Sequence, residues 1–192
     1  MTGIIGTIVL LGLASVSSRC YADRGRGYAL DKNRQTQGTR SFKYVYRYIQ
    51  ATTLAAGIGS YLSDHSMFFE IHHNFILTIV GMACACLAML GFVSAKKTLG
   101  ASYSPCFDPY LPKTLVSRGL YRYIRHPIYS LNILSVSSIF VSTGSLWIGF
   151  NAVILTVYYG KSARVEEQVL RAVFPEYETY VQNTKRFIPL VY

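Results

Sequence analysis

Three consecutive residues, Arg125-His126-Pro127, stand where a basic, aromatic stretch (residues 113–129) gives way to an apolar run. Proline is tolerated in the first turn of a helix, because its missing N–H would have had no partner there. The pattern therefore predicts a helix that opens at Pro127 and continues through Phe140. Arg125 and His126 then sit at its N-terminus, beside unpaired backbone N–H groups and the positive end of the helix dipole. Such a place attracts an anion, for example a carboxylate. The plainer reading of the same residues is a positively charged loop entering a membrane helix.

The pair Glu166-Glu167 is the second chemical feature. Beside a cationic helix start it suits a zwitterion. Arg125, His126 and free amides would hold the carboxylate, and Glu166 or Glu167 the ammonium. The alternative is a surface ion pair of Glu166 with Arg164 or Arg125, and the residues alone leave both readings open. His65, His72 and His73 fall near Asp64 and Glu70. A helical metal pair needs i, i+3 or i+4 spacing, and the adjacent His72 and His73 would diverge on a helix. This stretch reads as a polar loop, and no metal is expected. Cys20, Cys84, Cys86 and Cys106 show no metal spacing and are expected as unpaired thiols.

These residues need elements to position them. The chain has 192 residues, 51% hydrophobic and 15% charged, where a soluble domain carries about 25% charged residues. The apolar residues bunch into five runs, at 3–18, 45–62, 74–95, 128–141 and 146–159. The third is the most apolar and is long enough for the ~20 residues of a spanning helix. Ala55, Ala56, Gly57, Gly59 and Ser60 in the second suit close helix–helix contact. Ser142-Thr143-Gly144-Ser145 between the last two predicts a helical hairpin. Beyond Lys161 and Arg164 the chain is amphipathic, with Val165, Val169, Ala172 and Val173 on one helical face until Pro175. The expected fold is all-α: a polytopic membrane protein of about five transmembrane helices, the last two a hairpin, plus a cytoplasmic C-terminal segment.

The net charge of +10 points away from nucleic acid once its placement is read. Lys and Arg crowd the loops after the first and third runs and the tail, while the loops after the second and fourth hold none. Met1-Thr2-Gly3 carry no side-chain charge, so the first run is expected to be a retained helix rather than a signal peptide. The positive-inside rule then puts the N-terminus outside and residues 113–129 and the C-terminus in the cytoplasm.

At this point the chain resembles a known family. Thr114-Leu115-Val116, Gly119-Leu120-Tyr121, Arg125-His126-Pro127-Ile128-Tyr129, Glu166-Glu167-x-x-Leu170, Phe174, Tyr177, Tyr180 and Arg186-Phe187-Ile188-Pro189 together resemble the isoprenylcysteine carboxyl methyltransferase family, whose wider group includes phospholipid N-methyltransferases. The resemblance covers roughly residues 96–190. The N-terminal half matches only in hydropathy. A single membrane methyltransferase domain over 1–192 is expected, with 1–95 supplying three N-terminal membrane helices and 96–192 the cofactor-binding half.

The resemblance implies S-adenosylmethionine as methyl donor, in a cytoplasmic pocket roofed by the C-terminal segment. Carried over by position, its contacts are Lys113, Leu115, Val116, Tyr121, Arg125, His126, Pro127, Ile128 and Glu166, and Arg164 is the candidate to meet the acceptor. The acceptor is expected to be isoprenylcysteine-like or otherwise lipophilic, entering from the membrane lipid, with its carboxyl group methylated. A phospholipid N-methyltransferase is the alternative, followed by a membrane reductase or a non-catalytic scaffold. The sequence departs from the family at Lys113, where the family commonly has His, at Tyr103, where it has Trp, and at Leu131, where Gly is frequent. Tyr121, Tyr123 and Tyr129 are expected either around the cationic sulfonium or as an interfacial belt.

Overall fold

The computed structural model describes residues 2–22, 40–62, 71, 74–103, 112 and 114–189. Lys113, Cys106 and the histidine-containing stretch with Asp64, His65, Glu70, His72 and His73 lie outside the described residues. The described residues form six α-helices: α1 (Thr2–Ala22), α2 (Arg40–Leu62), α3 (Phe75–Leu99), α4 (Pro127–Thr143), α5 (Leu146–Val173) and α6 (Tyr177–Asn183). Two short 3₁₀ turns, Gly100–Ser102 and Gly119–Arg122, flank the link from α3 to α4. Among the described residues the regular elements are all helical.

Asn74 starts α3: its side-chain oxygen accepts from the amides of Ile76 and Leu77 at 2.9 and 3.2 Å, which satisfies two donors of the first turn. Lys96 and Lys97 fall in the last turn, where the dipole favours cations. By length and composition α3 is the one described helix able to cross a membrane, and the apolar stretches Ile4–Arg19 and Pro127–Thr143 are shorter. Of the about five spans expected, α3 is the one clear candidate among the described residues, with two shorter apolar helices beside it. The outer faces of the bundle are apolar, with Ile4 and Ile8 on α1, Ile76 and Leu90 on α3, and Phe150 and Val153 on α5 exposed. A continuous apolar exterior of this kind suits lipid.

The packing of α3 on α4 is the most extensive helix contact. Gly81 makes it possible: a Cβ there would lie 2.6 Å from the Ser138 carbonyl oxygen and the Ser142 amide nitrogen. Buried polar pairs fix the remaining helices. The Asn151 side-chain amide donates to the hydroxyls of Thr52 and Thr53 at 2.9 and 3.0 Å, and that of Asn132 to the Tyr159 hydroxyl at 3.0 Å.

The hairpin forms where it was predicted. Gly144 takes the left-handed conformation, φ 70°, and its amide closes on the Phe140 carbonyl at 2.7 Å, the usual glycine termination. The helix that follows is longer than the apolar run. It continues without a break to Val173, giving 28 residues against the 17 of α4. It therefore outruns α4 by about three turns, and its last third stands beside the chain that precedes Pro127. The predicted apolar face of that third is solvent-facing: Val165 is 54% and Val173 41% exposed, whereas Ala163 and Glu167 are 0% and 1% exposed.

Candidate functional site

His126 is the N-cap residue of α4 and Pro127 opens the helix, as the motif predicts. The chain just before it is stitched to the C-terminal segment as a short parallel ladder. Arg125 donates its amide to the Lys185 carbonyl at 2.8 Å, His126 to the Arg186 carbonyl at 3.1 Å, and Lys185 to the Tyr123 carbonyl at 3.1 Å. The Tyr180 hydroxyl donates to the Tyr121 carbonyl and the Ser130 hydroxyl to the Phe187 carbonyl, both at 2.7 Å. Two of the amides expected to be free are thus occupied by this strap. Tyr129 and Ser130 give theirs to the His126 carbonyl, and Pro127 has none, which leaves that of Ile128.

Glu167 lies under the strap. Its Oε1 accepts from Nε of Arg125 and Nε of Arg186, each at 3.0 Å, and from Nε2 of His126 at 3.2 Å. Its Oε2 accepts from Nη2 of Arg186 at 2.8 Å. Arg125 also donates from Nη1 to the carbonyls of Val181 and Thr184. Burial pushes the Glu167 carboxyl up, but the hydrogen bonds from His126, Arg186 and Arg125 outweigh it and hold the group well below the usual carboxylate range. An ionised carboxylate only accepts, so Nε2 of His126 carries the proton. The guanidinium of Arg125, expected to grip a ligand carboxylate, is directed at Glu167 and the strap. Of the two readings left open, a Glu166–Arg125 surface pair is not what forms: Arg125 pairs with the buried Glu167.

Glu166 has a different environment. Its side chain is 46% exposed. It accepts from the Tyr129 hydroxyl at 2.8 Å and lies 3.6 Å from Nδ1 of His126. Here it borders an open hollow of about 90 Å³. The α4 end contributes Tyr121, Arg125, His126, Ile128 and Tyr129. Glu166 and Leu170 come from α5, Tyr177 and Tyr180 from α6, and Leu99, Tyr103, Leu115 and Val116 from the α3 end and the loop after it. Tyr177 is 1% exposed, and its hydroxyl has no hydrogen-bond partner among the described residues. Burial, then the charges of Glu167 and Glu166, push the Tyr177 phenol up. Burial, then Glu166, does the same to Tyr121. Both phenols stay neutral and remain donors.

A stack of rings leads from this hollow into the bundle. His126 stacks on Tyr129 with centroids 5.2 Å apart, and Tyr129 on Tyr159 at 4.4 Å. Tyr159 in turn holds Asn132. Asn132 borders a second cavity of about 310 Å³ between α1, α2 and α4, lined by apolar side chains such as Leu10, Leu13, Leu54 and Val136 with a polar end at Ser17, Tyr46 and Gln50. The Gln50 amide donates to the Ser17 and Tyr46 hydroxyls at 3.0 and 3.2 Å.

Of the residues singled out from sequence, Leu115, Val116, Tyr121, Arg125, His126, Ile128 and Glu166 border the hollow together. Pro127 is fully buried and starts the helix without bordering it. Arg164 is exposed on α5, outside the lining. Tyr123 is 59% exposed, which fits a belt position, whereas Tyr121 and Tyr129 are in the wall. Sequence reasoning gave no site role to Leu170, Tyr177 and Tyr180. Their spacing after Glu166 is the signal that was available. Among the described residues no group of three or more His, Cys, Asp or Glu side chains is arranged to hold a metal ion.

A family model described as phospholipid methyltransferase matches residues 76–177, just over half of the chain. The sequence is also similar to the cobalt-zinc-cadmium resistance protein CzcN of Cupriavidus metallidurans, 28% identical over 152 residues, 76% of this chain and 62% of that protein. It is 24% identical over 152 residues to the nickel-cobalt-cadmium resistance protein NccN of Alcaligenes xylosoxydans xylosoxydans, 76% of this chain and 63% of that protein. The chain therefore spans less than two thirds of the length of either relative.

Proposed function

The chain belongs to the phospholipid methyltransferase family, part of the wider isoprenylcysteine carboxyl methyltransferase-like group, and from that premise we propose an integral membrane methyltransferase that uses S-adenosylmethionine to methylate a lipophilic acceptor. One observation carries the reading: a half-exposed carboxylate, Glu166, and Tyr177, whose buried hydroxyl has no hydrogen-bond partner among the described residues, line the same aromatic hollow. The donor's amino-acid end carries an ammonium and a carboxylate, and its other end is an aromatic nucleoside. Glu166 suits the ammonium, the Ile128 amide suits the carboxylate, and Leu115, Val116 and Tyr121 offer apolar and aromatic surface to the nucleoside. Lys113 keeps its proposed place at the same site.

Bound there, S-adenosylmethionine supplies a methyl group already activated on a cationic sulfonium. The protein's task is alignment and exclusion of water. The strap 184–187, locked by Glu167, Arg125 and Arg186, covers the helix start. Tyr121 offers the aromatic surface that suits a cation, whereas the Tyr129 ring is stacked between His126 and Tyr159. A carboxylate acceptor needs no proton removed. An amine acceptor does, and Nδ1 of His126, whose Nε2 is turned to Glu167, is the group proposed to take it. Arg164, on the exposed side of α5, is proposed to meet the acceptor's head group. The cavity between α1, α2 and α4 suits its apolar tail, reached from the bilayer. In this reading the whole chain is one domain, with the N-terminus outside and the hollow at the cytoplasmic surface.

The family match favours a second acceptor class, a phospholipid amine. One experiment tests both. The purified full chain, in nanodiscs with labelled S-adenosylmethionine, is offered a prenylcysteine analogue or an aminophospholipid. Label in the first product supports carboxyl methylation, and label in the second supports N-methylation. No donor binding by calorimetry sinks the enzyme reading and leaves the reductase or scaffold alternatives.

A further inference from the structure

Tyr177 carries an unmet chemical demand. It is 1% exposed and opens α6, its ring in edge contact with Tyr180 at 5.7 Å. Its hydroxyl has no hydrogen-bond partner among the described residues. Buried polar groups are nearly always bonded, and one left unpaired in a native protein costs stability unless something else satisfies it. Ser60 and Asn151 also hold an unpaired polar atom, but both lie on the bundle helices. Tyr177 borders the hollow that Glu166 borders. Arg125 and His126 line that hollow as well.

We propose that the Tyr177 hydroxyl is a binding group for the amino-acid end of the donor, giving its hydrogen bond to the donor's carboxylate while Glu166 takes the ammonium. This rests on the donor reading above. The neighbouring groups explain why a phenol is used. Arg125 and Arg186 are engaged by Glu167, and the Arg125 and His126 amides by the strap. A neutral phenol donates to a carboxylate without adding a further charge to the cluster. Tyr180, three residues on, cannot serve in the same way, because its hydroxyl is already given to the Tyr121 carbonyl.

The test is calorimetric binding of S-adenosylhomocysteine and of 5′-methylthioadenosine, which lacks the amino-acid end, together with melting of the ligand-free chain. Tyr177→Phe is expected to weaken S-adenosylhomocysteine by about 10- to 150-fold, the size of one lost hydrogen bond to a charged group. It leaves 5′-methylthioadenosine unchanged and does not lower the melting temperature, because removing an unpaired hydroxyl relieves the empty protein. Tyr180→Phe is expected to do the reverse, lowering the melting temperature with no selectivity between the nucleosides. Wild-type binding that Tyr177→Phe leaves unchanged overturns the assignment. So does equal weakening of both nucleosides, or a lowered melting temperature of ligand-free Tyr177→Phe. A wild-type chain that binds neither nucleoside overturns the donor reading, and this assignment with it.

Discussion

Arg125 donates from Nε to Oε1 of Glu167 at 3.0 Å, and the two side chains are 8% and 1% exposed. The pair joins residues 42 apart in sequence, one just before α4 and the other on α5. Arg186 completes the set from the strap. The second glutamate of the pair is thus an internal counter-ion that holds the C-terminal segment against the helix start. The first is left at the hollow. On a helix, adjacent residues differ by about 100° in direction, and that rotation divides the two roles.

Replacing Glu167 by Ala removes the carboxylate that both Arg125, 8% exposed, and Arg186, 21% exposed, pair with. Breaking a buried pair in this way costs about 3–5 kcal/mol. The expected result is a marked fall in melting temperature in detergent, with Glu167→Gln also destabilised because it removes the charge. Equal stability of Glu167→Ala and wild type would contradict the clamp.

The same cluster sets an acid limit on stability. The folded carboxyl of Glu167 is held below its unfolded value, which is about 4.3 for a model glutamate. Its contribution is therefore complete above that value and is lost as pH falls through it toward the lower folded value. Melting temperature measured from pH 7 to pH 3 should be flat for this contribution down to about pH 5. Below that, wild type should fall more steeply than Glu167→Gln. Parallel curves for the two proteins would remove Glu167 as the cause.

Much of this site was legible from Arg125-His126-Pro127. Proline fixed the helix start, and the turn residues Ser142–Ser145 folded α4 and α5 into a hairpin, so the approach of His126 to Glu166 followed. The rotation of the last third of α5 was not legible. Hydrophobic periodicity pointed to Val165, Val169, Ala172 and Val173, yet the buried face carries Ala163 and Glu167. A charged residue is buried there because three donors from distant segments meet it, and no local pattern encodes such partners. The occupation of the Arg125 and His126 amides was hidden for the same reason: their acceptors are Lys185 and Arg186, some 60 residues away. The length of α5 was obscured by its change from apolar to charged residues at Lys161, where the environment changes and the helix does not.

Glu166 should separate from Glu167 in its phenotype. Its side chain is 46% exposed, so Glu166→Gln is expected to leave melting unchanged. Loss of a charge-assisted hydrogen bond to the donor's ammonium is worth about 1.5–3 kcal/mol, or about 10- to 150-fold in affinity. Calorimetry with S-adenosylhomocysteine reads this directly. Unaltered affinity would take Glu166 out of the donor site.

The α3–α4 contact gives a prediction independent of ligand. A methyl group at position 81 would lie 2.6 Å from backbone atoms of Ser138 and Ser142, and backbone yields less readily than a side-chain tip. Gly81→Ala should destabilise by about 1–3 kcal/mol, as overpacking does. It should also slow methyl transfer if the displaced α4 carries His126 with it. A melting scan that places Gly81→Ala at or above wild type would show that the helices separate freely there.

The cavity between α1, α2 and α4 and the hollow at Glu166 are joined through Asn132, Tyr159 and Tyr129, and their occupants should be separable by mutation. Ala14 borders the cavity and is remote from the hollow's lining. Ala14→Phe adds a ring to a space of about 310 Å³ on a helix whose neighbouring face is already open, so folding should survive. If the cavity takes the acceptor's tail, this variant raises the acceptor KM severalfold and leaves S-adenosylhomocysteine affinity at the wild-type value. A shortened acceptor, lacking the distal part of its tail, should lose less between wild type and variant than the full-length one. An unchanged acceptor KM, with donor affinity also unchanged, would place the tail outside the bundle and leave the cavity as lipid-filled packing space.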